Sequence, residues 1–217
     1  MTRPMIEAVL FDCDGVLVES EKVCARLFWQ DLQARGLDIS EQAAAEIYGA
    51  GPMEMVAQGA IARGAVLPED WVDQFYQVMF EALRTQTQSV PGANALVRRL
   101  ADAGIKMAVG SNGPVAKMEI TLAAVGLLDQ LRPHVYSARD LANPKPAPDI
   151  YLHAAKGLGV APKNCVVVED SASGALAAGA AGMRCIGFAL VTDAAKLSPV
   201  CDDVVTDMAE IPGILGL

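Results

Sequence analysis

Two carboxylates one residue apart close an apolar run, as Val9-Leu10-Phe11 leads into Asp12-Cys13-Asp14-Gly15. On an extended strand, side chains two positions apart share a face, so Asp12 and Asp14 would stand together at its end. Like charges about 4 Å apart repel by roughly 4 kcal/mol at an effective dielectric near 20, a cost that a bound cation or a shared proton relieves. A divalent metal is the natural partner. The competing reading is a surface Asp-x-Asp-Gly turn, since both residue types favour turns. Three further segments bear on the choice. Ser111-Asn112-Gly113 offers a hydroxyl, an amide and backbone N–H groups suited to phosphate oxygens, or a plain strand-to-helix turn with a cap. In Asn143-Pro144-Lys145-Pro146-Ala147-Pro148 the prolines fix the backbone around a single lysine, which is either aimed or simply solvated. Cys165-Val166-Val167-Val168 runs into Glu169-Asp170-Ser171, where the alternative is a cap on the Ala-rich helix that follows. Gly174, Gly179 and Gly182 in that helix read as close packing with no functional part. Each bland reading holds singly, but together the four segments describe one metal-and-phosphate site.

These segments need elements to position them, and the chain alternates short apolar runs with helical patterns. Strands are expected at 8–11, 106–110, 135–138, 165–168, 184–188 and 203–205, mostly apolar on both faces, as in a covered parallel sheet. Helices start near Pro91, Pro114 and Pro148. The pattern predicts an α/β fold with a doubly wound, Rossmann-like parallel sheet and right-handed crossovers. Between the first two core strands lie about seventy residues with helical segments at 21–34, 40–47, 53–62 and 69–83 and no convincing strand. Such a length is not one loop. It predicts a discontinuous core of 1–17 and 88–217 carrying a small all-helical insert, a cap domain, at 18–87. Entered just after Asp14, that insert would overlie the strand's carboxyl end, where open α/β sheets bind ligands, and act as a lid. A permanently packed helical layer is the alternative.

The chain has 217 residues, 53% apolar and 20% charged, which places it among globular proteins with a sizeable core. A formal charge of −9 argues against nucleic acid as a partner, though not against a small phosphate held by a local cation. Cys13, Cys24, Cys165, Cys185 and Cys201 are scattered, the pattern of free thiols in a reducing compartment such as the cytoplasm. Arg3 precedes no apolar stretch long enough for a signal peptide, and no later run suits a membrane span. The glycine of Asp12-x-Asp14-Gly15 comes too early for an EF-hand loop, no Gly-x-x-x-x-Gly-Lys occurs, and Gly49 and Gly51 lack the third glycine of a dinucleotide fingerprint. The two histidines, His134 and His153, lie outside all four segments.

In order and spacing, Phe11 to Ser20, Ser111-Asn112, Lys145-Pro146 and Val168 to Ser171 resemble the four signature motifs of the haloacid dehalogenase superfamily. The insert resembles that superfamily's first cap class. The resemblance implies a Mg²⁺-dependent phosphatase in which Asp12 attacks phosphorus and forms an aspartyl-phosphate. Asp14 would serve as acid and then base, while Ser111, Lys145 and Asn112 would hold phosphoryl oxygens. Metal ligation is expected from Asp12, Asp14 and Asp170, with Glu169 close by and acting through water. Lys145 is also expected to lower the pKa of Asp12 and keep it nucleophilic.

Departures from the family pattern choose among its activities. A dehalogenase lacks the acid at Asp14. Lys22 is the only lysine of the insert and nothing marks it for a Schiff base. A β-phosphoglucomutase carries a histidine in the segment of Cys24 and an arginine in the turn Gly49-Ala50-Gly51-Pro52-Met53; this insert has no histidine and no arginine in that turn, with Arg63 nearby as a substitute. Phosphatase is therefore the expected activity. The Asp-Cys-Asp-Gly start, Lys117-Met118 and Ala154-Ala155-Lys156 most resemble enzymes acting on 6-phosphogluconate and related sugar phosphates. Phe28, Tyr48, Met53 and Arg63 are candidate specificity residues. Mutase-type phosphoryl transfer and a sugar-phosphate-binding regulator without turnover stand as alternatives. The expected partner is a small phosphorylated metabolite, met by a monomer or weak dimer.

Overall fold

The computed structural model describes residues 6–49 and 51–217, so the readings of Arg3 and Ala50 lie outside the described residues. Two compact units emerge, one of residues up to Glu19 together with Gln88–Leu217, the other Ser20–Thr87.

In the first unit the chain opens with strand β1 (Ala8–Phe11) and a two-residue strand β2 (Val18–Glu19). The second unit holds helices α1 (Glu21–Ala34), α2 (Glu41–Tyr48), α3 (Met53–Ile61) and α4 (Trp71–Gln86). The chain returns through β3 (Gln88–Ser89), α5 (Ala93–Asp102), β4 (Lys106–Ser111), α6 (Val115–Ala124), α7 (Leu128–Leu131) and β5 (Val135–Ser137). It ends with α8 (Asp149–Leu158), β6 (Cys165–Glu169), α9 (Ala172–Ala180), β7 (Arg184–Phe188), α10 (Ala194–Leu197), β8 (Asp203–Val205) and α11 (Ile211–Leu215).

The main sheet runs β5-β4-β1-β6-β7-β8, with the paired strands parallel throughout. Its apolar strands are buried on both sides because alternate residues feed two cores. Val9 and Phe11 enter one cluster with α5 and α6 residues such as Val97 and Met118, while Ala8 and Leu10 enter the other with Ile150, Tyr151 and Ala178. This is the doubly wound α/β architecture expected from the sequence. After β1 the chain builds outward on one side through β4 and β5, then crosses back to β6 on the other. That reversal makes the carboxyl end of β1 a topological switch point, where such sheets bind ligands.

One pairing was not expected. β2 and β3 form a small antiparallel ribbon, Val18 opposite Ser89 and Glu19 opposite Gln88. Two residues carry too little periodicity to read as a strand; the ribbon exists because the two ends of the inserted segment come together.

Within the second unit, Trp71, Phe75, Met79 and Leu83 recur every fourth residue and form the buried stripe of α4. Phe28, fully buried, packs its ring 5.9–6.0 Å from those of Tyr48, Trp71 and Phe75. Phe28 thus builds an aromatic cluster of this unit, and Met53 is buried on α3. Among the described residues no helix is long and apolar enough to cross a membrane.

Candidate active site

Parallel pairing aligns the strand ends. Phe11 registers with Val109 on β4 and with Val168 on β6, so Asp12 emerges between the residues that close those neighbours, Ser111 and Glu169. The backbone then curls: Gly15 N–H donates to the Val18 carbonyl, and Leu17 and Val18 both donate to the Cys13 carbonyl. Gly15 has φ 83°, a left-handed conformation that suits glycine, and a Cβ there would overlap the Asp170 carboxylate. Asp170 is therefore seated against the turn that carries Asp14. Cys13 instead points into the apolar core, where burial first, then Asp14, pushes its thiol pKa well up.

Lys145 organises the centre. Its Nζ lies 2.5 Å from Asp12 Oδ1 and 2.6 Å from Glu169 Oε1, and 4.9 Å from the centre of the Tyr151 ring. Its backbone N–H donates to Asn112 Oδ1 over 3.1 Å, so Asn112 ties the lysine loop to the end of β4. Ser111 Oγ accepts from the Gly113 N–H at 3.1 Å. It caps no helix; the α6 N-cap is Pro114, without a side-chain bond. Ser171, not Asp170, caps α9, accepting from the Gly174 N–H at 3.0 Å.

Glu169 is held by several protein donors. It is fully buried, and its Oε1 accepts from Lys145 and from the Tyr151 hydroxyl at 2.7 Å. Its Oε2 accepts from the Ser171 N–H at 3.1 Å and the Ser171 hydroxyl at 2.9 Å. A carboxylate has about four lone-pair sites. All are met by protein donors in this structure, so Glu169 holds Lys145 in place.

Lys145 acts on Asp12 in the expected direction but is outweighed. Burial, the largest influence, pushes the Asp12 carboxyl up to about 7; the Lys145 charge opposes this, and Glu169 and Asp14 add to the rise. Lys145 does pull downward as expected, but desolvation wins. Burial would lower the Lys145 pKa, yet Asp12 and Glu169 outweigh it and the net shift is upward.

A second cation was missed. Lys117, in the first turn of α6, places Nζ 2.8 Å from Asp14 Oδ2 with both side chains nearly buried. Lys117-Met118 entered the sequence reading only as part of a resemblance, and nothing in its spacing signals the contact with Asp14. Tyr151 reads as a core residue of α8, and its hydroxyl role was equally invisible. Gly174 is close-packed as expected, since a Cβ there would overlap the Glu169 carboxylate.

The site gathers the carboxyl groups of Asp12, Asp14, Glu169 and Asp170 around the ammonium groups of Lys117 and Lys145. No cluster of three His, Cys, Asp or Glu side chains suited to a metal occurs among the described residues. Near the Asp12–Gly15 turn the donors are instead Asp12, Asp170 and main-chain carbonyls. Such hard oxygens, few in number, suit Mg²⁺, which keeps several waters and needs one or two carboxylates. The residues fit that ion.

The family model for haloacid dehalogenase-like hydrolases matches residues 6–182. The 6-phosphogluconate phosphatase of Escherichia coli (strain K12) is 31% identical over 185 residues, covering 84% of this chain and 82% of that protein. The chloroplastic protein Suppressor of quenching 1 of Arabidopsis thaliana is 32% identical over 208 residues, 93% of this chain but only 20% of that protein. Among solved structures, a haloacid dehalogenase family hydrolase of Deinococcus radiodurans R1 with bound phosphate and sodium superposes with a TM-score of 0.80 at 34% identity. That match covers 98% of this chain and 96% of the other.

Proposed function

The chain belongs to the haloacid dehalogenase-like hydrolases, and from that premise we propose a Mg²⁺-dependent phosphatase acting on a small sugar-phosphate monoester through an aspartyl-phosphate on Asp12. The observation that carries this reading is the contact of 2.5 Å between Asp12 and Lys145 at the switch point of the sheet. It presents a carboxylate and a fixed cation side by side where a phosphoryl group must meet both. The similarity to 6-phosphogluconate phosphatase makes 6-phosphogluconate the first substrate to try.

In this reading an Asp12 oxygen forms a bond to phosphorus as the ester P–O bond breaks, and Asp14, which enters this step in its protonated form, gives that proton to the departing alcohol oxygen. Asp14, now a carboxylate, takes a proton from water, whose oxygen attacks the acyl phosphate; inorganic phosphate leaves and Asp12 is restored. The Ser111 hydroxyl and Lys145 hold the transferring oxygens. Asn112 keeps the Lys145 backbone in register with β4, and Glu169 aims the ammonium. Asp12, the Asp14 main-chain carbonyl and Asp170 would hold Mg²⁺, which when bound neutralises the repulsion between carboxylate and phosphate. Residues 18–87 are assigned the part of a cap, because the chain leaves the core for them immediately after the catalytic turn.

Phosphate release from a panel of sugar phosphates, with Mg²⁺ and with EDTA, tests the proposal. Mg²⁺-dependent release that Asp12→Asn abolishes supports it. Turnover surviving in Asp12→Asn refutes the nucleophile, and conversion of β-glucose 1-phosphate to glucose 6-phosphate without release replaces hydrolysis with transfer.

A further inference from the structure

Lys117 takes no part in the steps above, yet it is the second cation of the site. Its Nζ stands 2.8 Å from Asp14 Oδ2, with the two side chains only 11% and 14% exposed. Removing an ammonium from water is costly unless an anion matches it. The other site cation, Lys145, is committed to Asp12 and Glu169. Lys117 therefore belongs to Asp14, the acid of the proposed mechanism, and not to the nucleophile.

That position has a consequence for the alcohol portion of the substrate. The site has more carboxylates than cations, so an anion carried by the alcohol would meet Asp14 head-on and be rejected. An ammonium at that wall reverses the preference. It offers several N–H donors on a flexible four-carbon stem, so Asp14 and a substrate anion can share it.

Resting on the phosphatase reading, we propose that Lys117 is a specificity-determining residue that selects phosphate monoesters whose alcohol portion bears a second anionic group, a carboxylate or another phosphate. Matched pairs test this. Sorbitol 6-phosphate differs from 6-phosphogluconate by an alcohol in place of the carboxylate, and a ketose monophosphate differs from its bisphosphate by one phosphate. The measurement is kcat/KM for both pairs with wild type, Lys117→Met and Lys117→Arg. Wild type is expected to prefer the anionic member of at least one pair, and that pair identifies the anion. Lys117→Met should shrink the preference roughly ten- to hundredfold, mainly through KM, as expected for a lost charged hydrogen bond. Lys117→Arg should retain most of it.

The proposal is overturned if wild type shows no preference in either pair, or if the preference survives Lys117→Met. It is also overturned if Lys117→Met slows both members of each pair equally, as a lysine that merely holds Asp14 would. Should Lys117→Met fail to fold, Lys117→Gln replaces it. Competitive inhibition of wild type by gluconate but not by sorbitol then supports the proposal, and equal inhibition by the two overturns it. No phosphate release from any ester refutes the phosphatase reading itself, a result distinct from release without charge preference.

Discussion

Replacing Asp12 with Asn should make the metal-free protein more stable at pH 8 while destroying its turnover. Lys145 lies between two carboxylates, Asp12 at 2.5 Å and Glu169 at 2.6 Å, so the buried trio carries one surplus negative charge. Burial and that surplus raise the Asp12 carboxyl from 3.8 to about 7. The folded state thus binds this proton more tightly than the unfolded chain. Stability must then fall as pH rises from about 4 to about 7, and the loss is complete above that window. About three pH units at 1.36 kcal/mol each give a loss of about 4 kcal/mol. Asparagine keeps the shape, removes the charge and leaves Lys145 paired with Glu169. Its weaker bond to the ammonium gives back about 1 kcal/mol, so the variant should gain about 3 kcal/mol at pH 8, or about 6–12 °C in Tm for a chain of this size. Thermal and urea unfolding in EDTA at pH 4 to 8 would read this directly. Equal stability of the two proteins at pH 8, or a gap that does not change between pH 4 and pH 8, refutes the reasoning. In the proposed mechanism, Asp12 is a case where function is kept at the expense of stability.

Two further substitutions probe the parts of the site that hold Lys145. Tyr151→Phe removes the hydroxyl that donates to Glu169 at 2.7 Å and keeps the ring, so it should cost about 1 kcal/mol in unfolding. It should also lower kcat with KM nearly constant, and an unchanged kcat in phosphate-release assays would exclude a positioning role. Gly174→Ala drives a Cβ into the Glu169 carboxylate, which should destabilise the protein by about 2–4 kcal/mol; a loss below about 0.5 kcal/mol by urea titration would show that Glu169 can move aside freely.

The elements were legible because their causes are local. Val9 to Phe11 and Cys165 to Val168 are apolar at successive positions, which only strands covered on both faces tolerate, and α1 is found at Glu21–Ala34, the span expected. Acids, a serine and a lysine at the ends of such runs also pointed to the carboxyl edge of a sheet, since strand direction fixes which end a motif occupies. The partners of these groups were not legible. Lys117 meets Asp14 across 103 positions, and Tyr151 meets Glu169 across 18; no period or motif links residues that far apart. Lys145 and Tyr151 likewise reach Glu169 only once their segments pack against β6. Gly174 reads as close packing in the sequence, but the Glu169 carboxylate against it does not show there. Most of all, the direction of the Asp12 shift depends on a contest between burial and Lys145. Sequence determined which charges this protein brings to the end of β1; tertiary structure decided how dry they are and which of them touch, because desolvation and Coulomb energies depend on distances and solvent that chain order does not contain.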